Sequence, residues 1–339
     1  MVKKMFVIVL TVIAGMTMQL SQAAAEGQNY KIKRLVNQLY DKTKAMDAER
    51  YLSSYGIEVT EYVLPVLKDK SNENVRIAGL RVIAATGDTS AEDAVVALLS
   101  DRDHRVRQEA ARTLSVIGRK ESSIAPLKKL LSDQDPNVRY NAVKALAGMA
   151  PEGETGLFIS ALGDYDPRVR TYAVYALGQI KSADAVPYLS QMVRDYDPGV
   201  RIGLVKALAK IDTEGCLEPL VWLIGDPDEN VRLLAVEKLG VIKSPGADEQ
   251  LALAAGNTDP RVTRQALLGL LERNSPRALE IAREHLDDEH MDVKLAAIEV
   301  VGKMGGAGEK SLLEPLMQAE STLVRQKAKE ALNTLNEGA

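Results

Sequence analysis

Few residues in this chain have side chains suited to catalysis or metal binding. Three histidines, His104, His285 and His290, and one cysteine, Cys216, stand in 339 residues. No histidine is followed by Glu, and His285 and His290, five residues apart across a helix end, are a poor Zn²⁺ pair. Cys216 lies in an apolar helical pattern, Cys216-Leu217-Glu218-Pro219-Leu220-Val221-Trp222-Leu223. It reads as a small buried hydrophobe, and being alone it forms no internal disulfide. The remaining candidates are aspartates in pairs: Asp133 and Asp135, Asp164 and Asp166, Asp195 and Asp197. A calcium loop needs six or more oxygens at fixed spacing, including a downstream bidentate Glu, so paired aspartates alone are a weak case. The sequence contains no G-x-S-x-G, H-E-x-x-H or P-loop. No catalytic residue, cofactor or metal site is expected.

The aspartates belong instead to a repeated motif. Asp164-Tyr165-Asp166-Pro167-Arg168-Val169-Arg170 returns as D-Q-D-P-N-V-R ending at Arg139 and as D-Y-D-P-G-V-R ending at Arg201. Its last position is filled by Arg76, Arg107, Arg139, Arg170, Arg201, Arg232, Thr263, Lys294 and Arg325, a period of 31 residues broken once by 32. A fixed period in this range marks an array of stacked units with a continuous core. Asp135 is suited to cap a helix N-terminus, Pro136 to occupy its first position, and Val138 to enter the core. Arg139, Arg170 and Arg201 are expected to reach the first Asp of their own or a neighbouring motif, forming a charged ladder.

Counted from the Arg position, Val at −1, Ala at +3 and Leu at +7 share one helix face. Most nearly opposite is +5, filled by Arg81, Arg112, Lys144, Tyr175, Lys206, Glu237, Leu268, Glu299 and Glu330. Each unit reads as a first helix, a tight turn and this second helix. Residues 26–56 read as a degenerate N-terminal cap and 57–339 as the array. Lys329, where earlier units carry Val, Leu or Ile, marks a C-terminal cap.

A 31-residue helical hairpin with D-x-D-P-x-V-R opening its second helix resembles the short HEAT repeats of the phycobilin-lyase-like type, over residues 57–336. The resemblance implies an all-α, right-handed α-solenoid of about nine repeats whose second helices line a concave groove, commonly holding a partner protein. The +5 ridge would then face the groove, with Tyr140, Thr171 and Tyr172 beside it. No activity carries across: an exported chain is a poor fit to pigment-protein lyases, and the His-Glu pairs of the related deoxyhypusine hydroxylase are missing.

Composition narrows the function further. The balance of 43 basic to 47 acidic residues has no surplus for wrapping nucleic acid. Lys3 and Lys4, a short apolar run over 5–16 and small residues over 21–25 have the layout of a secretory signal peptide. The expected protein is therefore a non-enzymatic, exported scaffold of the cell envelope, periplasmic or secreted, that binds a protein or peptide. Arg81, Arg112, Tyr140, Lys144, Tyr172, Tyr175 and Lys206 are its candidate binding residues, and their basic character suits an acidic partner. The rivals are a lyase- or hydroxylase-like enzyme or enzyme subunit acting on a protein-bound cofactor, and a mechanical spacer or a structural protein that self-associates through its oppositely charged halves.

Overall fold

The computed structural model describes residues 25–149 and 153–337. The expected export signal, residues 1–25, lies outside them except for Ala25. No strand occurs among the described residues, and no helix there is long and apolar enough to cross a membrane. The chain divides into two compact units, Met1–Pro151 and Glu152–Ala339.

The first unit holds α1 (25–38), α2 (Ala45–Ser53), α3 (Thr60–Leu67), α4 (Glu73–Thr86), α5 (Glu92–Ala97), α6 (His104–Ile117), α7 (Ile124–Leu130) and α8 (Pro136–Met149). The second holds α9 (Thr155–Ala161), α10 (Pro167–Gln179), α11 (Val186–Leu189), α12 (Pro198–Ile211), α13 (Leu217–Leu223), α14 (Glu229–Val241), α15 (Ala247–Ala254), α16 (Pro260–Glu272), α17 (Arg277–Glu284), α18 (Met291–Met304), α19 (Lys310–Leu313) and α20 (Thr322–Glu337). Odd-numbered helices are the first helices of hairpins and even-numbered ones the second. Within each unit the second helices pack in series: α2, α4, α6 and α8, then α10 through α20.

The motif residues account for the helix starts. Asp103, Asp166, Asp197, Asp228 and Asp259 are N-caps whose carboxylates accept first-turn N–H groups. Asp135 does the same for the N–H groups of Asn137 and Val138, at 2.7 and 3.3 Å. The core follows the expected phase, with Val138, Ala142 and Leu146, and their counterparts Val169, Ala173 and Leu177, buried. At +4, Val143, Val174, Val205, Val236, Leu267 and Ile298 are buried while Lys329 is exposed. The first helices are less regular than their apolar stripes suggest. The stripe over 185–193 is divided between one α-helical turn and a 3₁₀ segment, Ser190–Arg194.

Charged rungs tie neighbouring hairpins together. Arg107 places Nε and Nη2 2.7 and 3.0 Å from Asp133, while Nη1 donates to the carbonyl of Asp101 in its own loop. In the second unit Arg170 holds Asp195 at 2.6 and 2.7 Å, and Arg201 holds Asp226 at 2.6 and 2.8 Å. Each guanidinium therefore takes the carboxylate of the following motif and the backbone of its own. This resolves the two partners that the sequence left open. The first Asp also accepts the N–H of the second, as Asp133, Asp164 and Asp195 do from Asp135, Asp166 and Asp197. Arg139 likewise donates to the carbonyl of Asp133 at 2.9 Å.

Second helices of the second unit also meet at small residues. A Cβ on Gly178 would lie 2.8 Å from Cα of Ala207, and one on Gly240 would lie 3.1 Å from Cα of Gly269. A Cβ on Gly302 would lie 2.5 Å from Cβ of Ala331. These contacts leave no room for a side chain, and over-filling a packed interface costs about 1–3 kcal/mol. Gly302→Val is expected to lower the free energy of unfolding by that amount, seen as a fall in the denaturant midpoint. Gly148→Val, at a helical glycine with no neighbour within 4 Å, leaves the midpoint nearly unchanged; equal losses would mean that the close approach does not matter.

Candidate protein-binding surfaces

The exposed face of the second helices is set by phase. With −1, +3, +4 and +7 buried, positions +1, +5 and +9 face away from the core and +2 lies at the edge of that face, buried at Glu109 and Asn141. In the first unit this face carries a groove of about 650 Å³ lined by Glu49, Arg81 and Glu109, together with Tyr40 and Met46. Arg81 lies 3.8 Å from Glu49 and 3.9 Å from Glu109, and Arg112 donates to Glu109 at 3.0 Å. Burial pushes the Glu109 carboxyl above its ordinary range, and Arg112 and Arg81 oppose that rise. Glu49 is raised for the same reason, with Arg81 opposing and Glu109 reinforcing. Two members of the expected cationic row are thus engaged by carboxylates of the chain itself. Lys144 and Tyr140, both half-buried, lie on α8; Lys144 has no ion pair among the described residues.

In the second unit the face begins with aromatic residues. Tyr172 and Tyr175 on α10 meet edge to face, ring centroids 6.1 Å apart. Tyr175 is half exposed. Lys206, at the same position on α12, is exposed and has no ion pair among the described residues. The acidic positions further along are compensated from within. Glu237 is 2.6 Å from Lys238, and Glu299 is 2.7 and 3.0 Å from Lys303 and Lys327, which hold its carboxyl below the usual range. Alongside runs a half-buried apolar row, Ile202, Leu233, Leu234, Leu268 and Leu295. Their +1, +2 and +5 positions place them on or beside this face, but charge and ring size, the guides to candidate binding residues in the sequence, pass over them.

The remaining predicted residues are structural. Asp133, Asp135, Arg139, Asp164, Asp166, Arg170, Asp195, Asp197 and Arg201 are occupied in caps and rungs. His104, expected in a surface turn, is instead the exposed first residue of α6, 3.6 Å from Asp135. His285 and His290 both contact Asp288, at 2.9 and 3.2 Å. Cys216 is buried. Trp222, the single tryptophan, is unexpectedly exposed on a first helix, with the Arg194 guanidinium 5.1 Å from its ring centroid.

A model of HEAT repeats matches four overlapping stretches, residues 60–147, 124–201, 189–267 and 249–333. The chain belongs to the HEAT-repeat family. No curated protein matches its sequence significantly. Among solved structures it resembles Kap121p bound to Ste12p, with a TM-score of 0.66 and 14% identity over 91% of this chain and 41% of that one. It also resembles the karyopherin Kap121p bound to the extreme C-terminus of the protein phosphatase Cdc14p, with a TM-score of 0.65 and 14% identity over 91% and 42%. This HEAT-repeat chain thus spans about two fifths of those proteins, and the likeness is one of fold. Human deoxyhypusine hydroxylase also matches, at 19% identity over 72% of this chain and 95% of that one, with a TM-score of only 0.33.

The paired arginines generate a pH-dependent expectation. Removing Arg81 and Arg112 together leaves Glu109 buried without a cation, which costs about 2 kcal/mol once the carboxyl is charged. A carboxyl whose folded pKa is raised stabilises the fold below its unfolded value and loses that contribution as pH rises through the folded value. Arg81→Ala/Arg112→Ala should therefore destabilise the chain strongly at pH 7 and little at pH 4, and Glu109→Gln added to the pair should restore most of the loss. Denaturation at both pH values checks this; a pH-independent loss would contradict the assignment.

Proposed function

We propose that this HEAT-repeat chain is a non-enzymatic scaffold that binds an acidic protein segment on the exposed face of its second helices. The observation that carries the reading is the surface from α10 to α12. An aromatic pair, Tyr172 and Tyr175, stands beside an uncompensated cation, Lys206, next to the apolar row that starts at Ile202. Tyrosines offer large contact area at low conformational entropy, apolar residues between them exclude water, and an unpaired lysine favours a carboxylate-bearing partner. Kap121p has been solved bound to Cdc14p, Ste12p and Pho4p, and a protein partner here is consistent with that precedent. Lys144 and Tyr140 offer the same pairing of cation and ring on the first unit. The layout of residues 1–25 supports work outside the cytoplasm, in the envelope or beyond it.

Site-specific photo-crosslinking tests the surface directly. Benzoylphenylalanine in place of Tyr175, in the full chain in its native cells, should form adducts that map to segments rich in Asp and Glu. Lys206→Glu should cut their yield at least fivefold. The same probe in place of Tyr165, 94% exposed on a loop, should give none of these adducts. Equal adducts from both positions, or a yield indifferent to Lys206→Glu, would refute the surface.

A further inference from the structure

A second recessed surface lies in the first unit, on its first helices. Between α3 and α5 a cleft of about 700 Å³ is lined by Leu67, Ala94, Ala97 and Leu98, with Lys68, Lys70 and Arg102 around it. Alanine at two positions of α5 makes it wide, for the corresponding cleft beside Pro219 and Trp222 measures only about 410 Å³. At the positions of Ala94 and Ala97, later repeats carry Pro126 and Lys129, Tyr188 and Gln191, or Pro219 and Trp222. Side chains of that size would occupy the space that the two methyl groups leave open. Apolar residues therefore line a cleft within the size range of sites that hold small amphiphiles.

The charges around the cleft are unbalanced. Lys68, Lys70 and Arg102 are exposed, and none has an ion pair among the described residues. Arg102 donates only to the carbonyl of Lys70, at 3.3 Å. The carboxylate lining the cleft, Asp101, is taken by Arg76, whose two nitrogens lie 2.9 and 3.0 Å from it. Arg76 also lines the cleft, and its buried Nε, near Asp101 but out of line for a hydrogen bond, has no hydrogen-bond partner. Apolar walls ask for an alkyl chain, and three unpaired cations at the edge ask for an anion.

We propose that the cleft between α3 and α5 binds a single-chain carboxylate amphiphile, a free fatty acid, with its chain along Leu67, Ala94, Ala97 and Leu98 and its carboxylate among Lys68, Lys70 and Arg102. The site is separate from the second-helix surface and stands or falls independently of it.

The probe is dansylaminoundecanoate, titrated into the full chain and followed by dansyl fluorescence, with dodecanoate as competitor below its micelle concentration. Saturable binding near one equivalent, reversed by dodecanoate and at least tenfold less well by uncharged dodecanamide, is the expected result. Ala97→Trp fills the cleft with the residue that the Trp222 repeat already carries, and should weaken the probe at least tenfold. Lys68→Glu/Lys70→Glu/Arg102→Glu should do the same while leaving the unfolding midpoint unchanged. Absence of saturable binding, or binding indifferent to both variants, would overturn the proposal. So would co-sedimentation with phosphatidylglycerol vesicles that the charge variant abolishes while probe binding persists, because the cations would then serve a bilayer surface.

Discussion

Within each unit, consecutive hairpins are joined by arginines, such as Arg107 and Arg201, whose guanidinium must satisfy two loops at once. Arg201 illustrates the constraint. Its side chain is 8% exposed and that of Asp226 is 3%, so neither charge has water to fall back on. Nε and Nη2 close on the Asp226 carboxylate, while Nη1 turns back to the carbonyl of Asp195. A buried ion pair gains little over an apolar pair of the same shape, but removing one partner is severe. The fork therefore acts as a device for register. It accepts one spacing between consecutive loops, and with it one placement of the helices that those loops begin.

Where the rung changes chemistry, the local structure follows. Asn257 stands at the first Asp position of its motif, and Arg232 accordingly reaches the second, Asp259, at 2.9 Å. Thr263 replaces the next arginine and donates its hydroxyl to the Asn257 carbonyl. Asp288, which an arginine at 263 would have met, is instead bracketed by His285 and His290. In that second unit the helices can afford less help from charge because they meet backbone to backbone at Gly178, Gly240 and Gly302. With the buried side committed to rungs and small-residue contacts, the opposite side is left to carry Tyr172, Tyr175, Lys206 and the leucine row.

Much of this was legible in the sequence, because the features that repeat are the ones the period exposes. The N-cap aspartates, the Val, Ala and Leu phases and the polar Lys329 among apolar +4 residues all follow from aligning copies of one motif. The close approaches at Gly178, Gly240 and Gly302 were missed since they recur only in alternate repeats and join one second helix to the next. The pairing of Arg81 and Arg112 with Glu109, and of Arg81 with Glu49, was hidden for a different reason. Glu49 lies on α2, which lacks the motif, and Glu109 takes a position filled by Asn141 and Tyr172 in other copies. A row of like charges read along one position cannot show carboxylates arriving from another. The cleft beside Ala94 and Ala97 was equally silent, for it is made by what those residues lack.

A double-mutant cycle on Arg201 and Asp226 tests the register role of the rung most directly. Arg201→Met, Asp226→Leu and the pair would be compared with the parent chain by denaturant unfolding followed through a probe in the second unit. The account predicts that each single change is strongly destabilising and that the double change recovers a coupling of about 2–4 kcal/mol, since each single variant strands a buried charge. Single losses that simply add, with coupling below about 0.5 kcal/mol, would show that the two groups do not act as one unit and would contradict the account.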